Sequence, residues 1–195
     1  VARHVVREAL KRMEALGMVR IRQGSGILVE DLQITGGIEL FHSMLTRADG
    51  SIDLQFLKDV LDFRQEMLPS IVRLVARQRT PEELEQMRVL VHRRRRVIGA
   101  RDEVDAVNRE LFRVVARATH NRVYELVFNT IGQMYMRLRP AIEIPQSDSV
   151  RYQELLEHLL EAVDQGDEEL AGLLMARYET ALDATLDQVM AKLRG

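Results

Sequence analysis

VARHVVREALKRMEALGMVRIRQGSGILV, residues 1–29, sets one amphipathic helix in front of two short β-prone runs, and its reading decides the architecture. Val5, Val6, Ala9, Leu10, Met13 and Leu16 recur at helical spacing, while Arg3, His4, Arg7 and Lys11 gather on the other face and toward the start. Gly17 stands where a helix stops, and the runs MVRIR and ILV flank the tight turn Gln23-Gly24-Ser25-Gly26, the pattern of a β-hairpin. A helix followed by such a hairpin reads as the second half of a winged helix-turn-helix. The helix is of a kind that enters a DNA major groove.

Charge agrees with this reading locally. Six basic side chains, Arg3, Arg7, Lys11, Arg12, Arg20 and Arg22, face only Glu8 and Glu14 in residues 1–26, a formal +4, so the remainder carries −6 of the net −2. A basic head on an acidic body suits a protein whose head meets phosphates and whose body does something else. Thirty residues cannot bury a core alone, and a winged helix needs two earlier helices to close its own. Those helices are expected to precede residue 1, so the head reads as truncated.

The rest is composed for a soluble helical bundle: 195 residues, 46% hydrophobic and 30% charged, with four prolines and no cysteine. No stretch approaches a membrane span and no export signal is visible, so a cytoplasmic location without membrane contact is expected. Breakers divide the body into periodic segments near 38–47, 52–78, 81–98, 102–119, 121–139, 147–165 and 167–193. The expected fold is mostly α, a truncated winged helix-turn-helix followed by an all-α antiparallel bundle. Residues 1–30 form the DNA-binding part, 31–50 a linker and connecting helix, and 51–195 the helical domain. In the last segment Leu170, Leu173, Leu174, Ala181, Leu182, Leu186, Val189, Met190 and Leu193 form the predicted inward stripe. The run Arg93 to Arg96 points around most of a turn and reads as a solvated surface with internal ion pairs.

Polar residues interrupt three apolar stripes. Arg64 sits among Leu57, Val60, Leu61, Leu68 and Ile71, Asn108 among Val104, Val107, Leu111 and Val115, and Tyr178 between Leu174 and Leu182. A buried guanidinium is costly unless paired, so Arg64 requires a carboxylate, from the protein as an internal salt bridge or from a ligand. Three inward polar groups on three helices suggest a cavity. No HExxH, nucleophile elbow, phosphate loop or cysteine is present, so no enzyme is expected. The alternatives from other classes are a dimerisation module without a ligand, with Arg64 as a structural salt bridge, and an unrecognised helical enzyme with an acid-base pair inside the bundle.

These residues also carry a family resemblance. The pattern from Val1 to Gly26 resembles the V-S-R-x-x-V-R-E-A-L recognition helix and G-x-G wing of the GntR family, with Ala2 in place of the usual capping serine. The resemblance assigns DNA contacts to Arg3, His4 and Arg7 and, at the wing, to Gln23, Gly24 and Gly26. The body is similar to the FCD effector-binding domain of the FadR subfamily, through D-F-R at 62–64, L-F-R-V-V-A-R-A-T-H-N at 111–121 and E-A-V-D-Q-G-D-E-E-L-A at 161–171. Many such domains hold a divalent metal with one Asp and three His. The matching positions here are Asn108, Phe112, Leu156 and Tyr178, so no metal and no other cofactor is expected.

Loss of those ligands, with I-T-G-G-I-E-L at 34–40 and N-R-V-Y-E-L-V-F-N at 121–129, resembles the metal-free, fatty-acid-responsive branch of the subfamily. After Tyr178 the pattern departs, with Glu179, Leu182 and Leu186 where that branch has small and aromatic residues. The resemblance implies a homodimeric repressor on double-stranded operator DNA, released by a small effector. Arg64, Asn108, Phe112, Tyr135, Leu156 and Tyr178 are the expected effector pocket. Phe112 and Leu156 favour a fatty acid or acyl-CoA, with a small carboxylate second.

Overall fold

The computed structural model describes residues 2–22, 24–138 and 150–194, without the side chains of 33, 42, 135–138 and 183–194. Two compact units divide the chain, Val1–Asp53 and Leu54–Gly195.

The first unit opens with helix α1, Arg3–Ala15. Ala2 offers no side-chain acceptor to the first turn, so this end lacks the cap that Ser, Thr, Asp or Asn would supply. The other end is well closed. Gly17 takes φ 72°, its N–H donates to Glu14 O and that of Met18 to Met13 O, the paired bonds of a Schellman motif. A Cβ at Gly17 would also run into the Thr35 backbone carbonyl, so glycine is required there on two grounds.

Strands β1 (Val19–Arg22) and β2 (Gly26–Val29) pair antiparallel, with Val19 opposite Val29 and Arg22 opposite Gly26. Gly24 and Gly26 take φ 79° and 98°, which turns the chain between them. Short helices α2 (Leu32–Thr35) and α3 (Phe41–Met44), with a 3₁₀ turn at Ile38–Leu40, complete the unit.

Among the described residues the second unit holds six helices: α4 (Leu54–Gln78), α5 (Pro81–Arg96), α6 (Arg101–Ala118), α7 (Arg122–Leu138), α8 (Val150–Gln165) and α9 (Glu168–Arg194). They follow the segments expected from the hydrophobic periodicity, and most connections are two to four residues long. Helix α4 packs along α9 and against α8 and α6, while α5 pairs with α6 and α8. Thr80, Pro81 and Glu83 start α5 as a capping box: Glu83 N–H donates to Thr80 Oγ1 and Thr80 N–H to the Glu83 carboxylate. None of the described helices is long and apolar enough to cross a membrane.

The inward stripe of α9 differs from the sequence expectation. Leu170 and Leu173 are exposed, and the buried face is Ala171, Gly172, Met175, Tyr178, Glu179 and Leu182. Small residues at 171 and 172 allow α9 to approach α4 closely, and the Arg73 guanidinium lies where a Cβ on Gly172 would project. Room for a neighbouring side chain, rather than leucine content, marks this face. Leu186, Val189, Met190 and Leu193 lie outside the described side chains.

Candidate functional site

The candidate residues fall into two sets, one in each unit. In the first, Arg3, His4 and Arg7 all lie in the opening two turns of α1 with exposed side chains. Helical geometry places residues 3 and 7 one turn apart on one face, so two forked guanidinium groups project from the same end. The hairpin follows with Arg20 and Arg22 exposed on β1. Arg20 pairs with Glu30 at 2.6 Å. Gly24 and Gly26 sit at the tip with open space around them, as a wing tip requires. Gln23 lies outside the described residues. No residue of α1 is buried within the chain, and Val5 and Val6 remain about half exposed.

In the second unit the three inward polar groups find protein partners. Arg64 of α4 donates through one guanidinium nitrogen to Glu179 of α9 at 2.8 Å, with the carboxylate only 3% exposed and the arginine 25%. Asn108 of α6 accepts at 2.9 Å from Nε of Arg94, which is fully buried. A second Arg94 nitrogen donates to Gln153 Oε1 of α8 at 2.9 Å, and the guanidinium carbon lies 4.8 Å from the centre of the Tyr152 ring. Tyr152 in turn packs on Tyr178, ring centres 5.3 Å apart. A continuous polar and aromatic chain thus crosses α6, α5, α8 and α9.

Burial is the main force raising the pKa of the Tyr178 phenol above its ordinary 10.0. Tyr152 and Glu179 push the same way, and the Arg64 and Arg94 charges oppose them. Phe112 packs edge-on against Phe128 of α7 at 5.5 Å, and Leu156 is buried in the core. The Tyr135 side chain lies outside the described residues.

The run Arg93 to Arg96 is solvated only in part. Arg93 pairs with Glu110 and Arg95 with Glu157. Arg94 instead faces inward, because Leu84, Met87, Leu90, Val91 and Arg94 recur at three and four along α5. Extending that stripe by one step would have found it. Gln153 and Tyr152 follow from the same cluster and have no signature of their own in the sequence.

The four positions that match metal ligands do not fit a metal. Phe112 and Leu156 carry no donor atom, and the Asn108 oxygen already accepts from a guanidinium, a cation that would repel a second one. Among the described residues no group of three or more His, Asp or Glu side chains could hold an ion. A groove of about 940 Å³ crosses α5, α6 and α7 with both signs of charge on its walls, such as Glu82, Glu110, Arg113 and Arg117. None of the expected effector residues lines it.

Comparison with known proteins returns one matching family model, described as the FCD domain, over residues 59–181. The chain is 37% identical over 82 residues to the HTH-type transcriptional regulator Mce2R of Mycobacterium tuberculosis, covering 42% of this chain and 34% of that protein. It is 26% identical over 141 residues to the fatty acid metabolism regulator protein of Serratia proteamaculans, covering 71% of this chain and 56% of that one. The chain thus spans only 34% and 56% of the length of these two relatives. Streptococcus agalactiae GntR superposes with a TM-score of 0.61, covering 95% of this chain and 83% of that chain at 19% identity, which shows a shared fold.

Proposed function

Because this chain belongs to the FCD-domain family, we propose that it is the effector-sensing body and part of the operator-reading head of a DNA-binding transcriptional regulator of the GntR type. The observation that carries the reading is the order of parts. An exposed arginine pair opens a helix, a glycine-tipped hairpin follows, and an FCD bundle comes behind them. The relatives named above are regulators rather than enzymes, in keeping with the catalytic motifs missing from the sequence.

In this reading two copies present their α1 helices to successive major-groove half-sites of a near-palindrome. Arg3, His4 and Arg7 contact bases or phosphates, while Gln23, Gly24 and Gly26 approach the adjacent minor groove. An effector in the helical domain alters the spacing or mobility of the heads, and its release of DNA makes the protein a cytoplasmic repressor. Arg64, Asn108, Phe112, Tyr135, Leu156 and Tyr178 mark the effector region. Apolar Phe112 and Leu156 support a fatty acyl effector, as does the relative named for fatty acid metabolism. The pairing of Arg64 with Glu179 also serves a purely structural module, so the ligand experiment decides between them.

The test is a titration. An operator recovered from randomised duplex DNA with the intact polypeptide is bound, and acyl-CoAs and small organic acids are added. Release by acyl compounds is expected. Release by citrate or lactate alone refutes the lipid assignment, and release by none of these compounds refutes the sensing role.

A further inference from the structure

Strand β1 carries two arginines on one face, and they differ in what answers their charge. Alternation along the strand puts Val19 and Ile21 on one side and Arg20 and Arg22 on the other. Arg20 pairs with Glu30, whereas Arg22 is exposed and has no ion-pair partner among the described residues. Opposite Arg22 stands Gly26, so the residue across the hairpin lays no side chain over the guanidinium. An uncommitted cation therefore stands immediately before the wing tip.

The strand that carries it is tied to α1. Glu30 N–H donates to Met18 O at 3.0 Å, and with that register the pairs Met18–Glu30, Arg20–Leu28 and Arg22–Gly26 face each other through the ladder. Residues between them turn their backbone groups outward, so the Ile21 N–H stands at the free edge of the hairpin. Glu14, in the last turn of α1, accepts that N–H at 2.8 Å. A carboxylate on a backbone N–H makes a charge-assisted bond, and this one spans the Gly17 turn. The bonds of Gly17 and Met18 to the end of α1 hold the pivot. The Glu14 bond acts further out along the strand, where it sets the angle between helix and hairpin.

We propose that Arg22 is a further DNA-contacting residue, meeting a backbone phosphate beside the groove that the wing approaches, and that Glu14 is the positioning residue that aims it. This rests on the operator reading above and deepens it. A phosphate is the ligand the geometry suits, because an exposed forked guanidinium grips an anion and a hairpin laid on the duplex passes phosphates before it reaches a base edge. Glu14 acts through the Ile21 N–H and not on DNA itself.

The test measures the affinity of the intact polypeptide for its selected duplex by fluorescence anisotropy over a range of salt concentrations. Arg22→Ala is expected to weaken binding about tenfold and to flatten the slope of log K against log salt by about one, as loss of one phosphate contact does. In a Glu14→Ala background the same substitution is expected to cost only about twofold, because the wing is no longer aimed, while Arg3→Ala keeps its full effect. Glu14→Gln retains an acceptor oxygen and is expected to retain the full cost of Arg22→Ala. A merely structural role of Glu14 would lower these affinities alike and leave the costs additive. Circular dichroism checks that each variant folds. Should Glu14→Ala not fold, Ile21→Pro takes its place, since it removes the donor at a strand edge where proline is tolerated. Unchanged affinity in Arg22→Ala, an equal cost of that substitution with and without Glu14, or loss of the cost in Glu14→Gln overturns the inference, and weakened binding by Arg3→Ala or Arg7→Ala then leaves the operator reading standing. Unchanged affinity in both Arg3→Ala and Arg7→Ala overturns both.

Discussion

Replacing Arg94 with alanine removes the centre of the polar chain through the bundle, and the structure sets the size of the effect. Arg94 is fully buried, and two of its nitrogens each donate at 2.9 Å, to Asn108 and to Gln153. Loss of the guanidinium orphans both amide oxygens, at about 1–3 kcal/mol each. Gln153 cannot rotate to recover, because its amide nitrogen donates to Val91 O at 3.0 Å and to Glu157 at 2.9 Å, and turning it over breaks both bonds. The stacking on Tyr152 adds about 1–2 kcal/mol. Against these losses stands the relief of no longer burying a cation, several kcal/mol.

The net expectation is destabilisation of about 3 kcal/mol, the range seen when one member of a buried charged network is removed. Urea unfolding followed by circular dichroism measures it. At a slope of about 2 kcal/mol/M the midpoint falls by about 1.5 M. A double-mutant cycle localises the effect: Asn108→Ala is expected to cost about 1–2 kcal/mol less in the Arg94→Ala background than in wild type. A loss under about 1 kcal/mol for Arg94→Ala, or equal costs of Asn108→Ala in both backgrounds, refutes the network.

Three further outcomes are expected. In a spectrophotometric titration, Tyr178 stays protonated above pH 10 while the fold lasts, so titration of all four tyrosines near pH 10 in folded protein contradicts its burial. Glu83 is partly buried, which raises its pKa, but the Thr80 N–H and the His120 imidazole outweigh burial and bring it below the ordinary 4.5. Its stabilisation is therefore present above pH 4.5 and lost as pH falls through the lower folded value. Glu83→Ala costs about 1 kcal/mol at pH 7 through the lost capping box, a difference that shrinks at pH 3; an equal cost at both values counts against the assignment. Dialysis against a chelator leaves the melting temperature unchanged, and a drop of several degrees would mean that the bundle holds a metal through another donor set.

The helices and the hairpin were legible because their signals are local. Gly17, the Gly24 and Gly26 turn, the Thr80 to Glu83 cap and the three-and-four spacing of apolar residues each act within a few residues. Arg64, Asn108 and Tyr178 stood out for the same reason, as polar breaks in apolar stripes. Their partners did not. Glu179 is 115 positions from Arg64 along the chain, and Gln153 is 59 from Arg94, so no window of sequence contains either pair. The α9 stripe was misplaced because Ala171 and Gly172 were chosen for the space they leave and not for their hydrophobicity.

The central claim, that α1 reads an operator, is tested most directly by the affinity of the intact polypeptide for its selected duplex before and after Arg3→Ala and Arg7→Ala. Each substitution is expected to weaken binding by about 1–3 kcal/mol, with the helical content by circular dichroism unchanged. Unchanged affinity in both variants would contradict it.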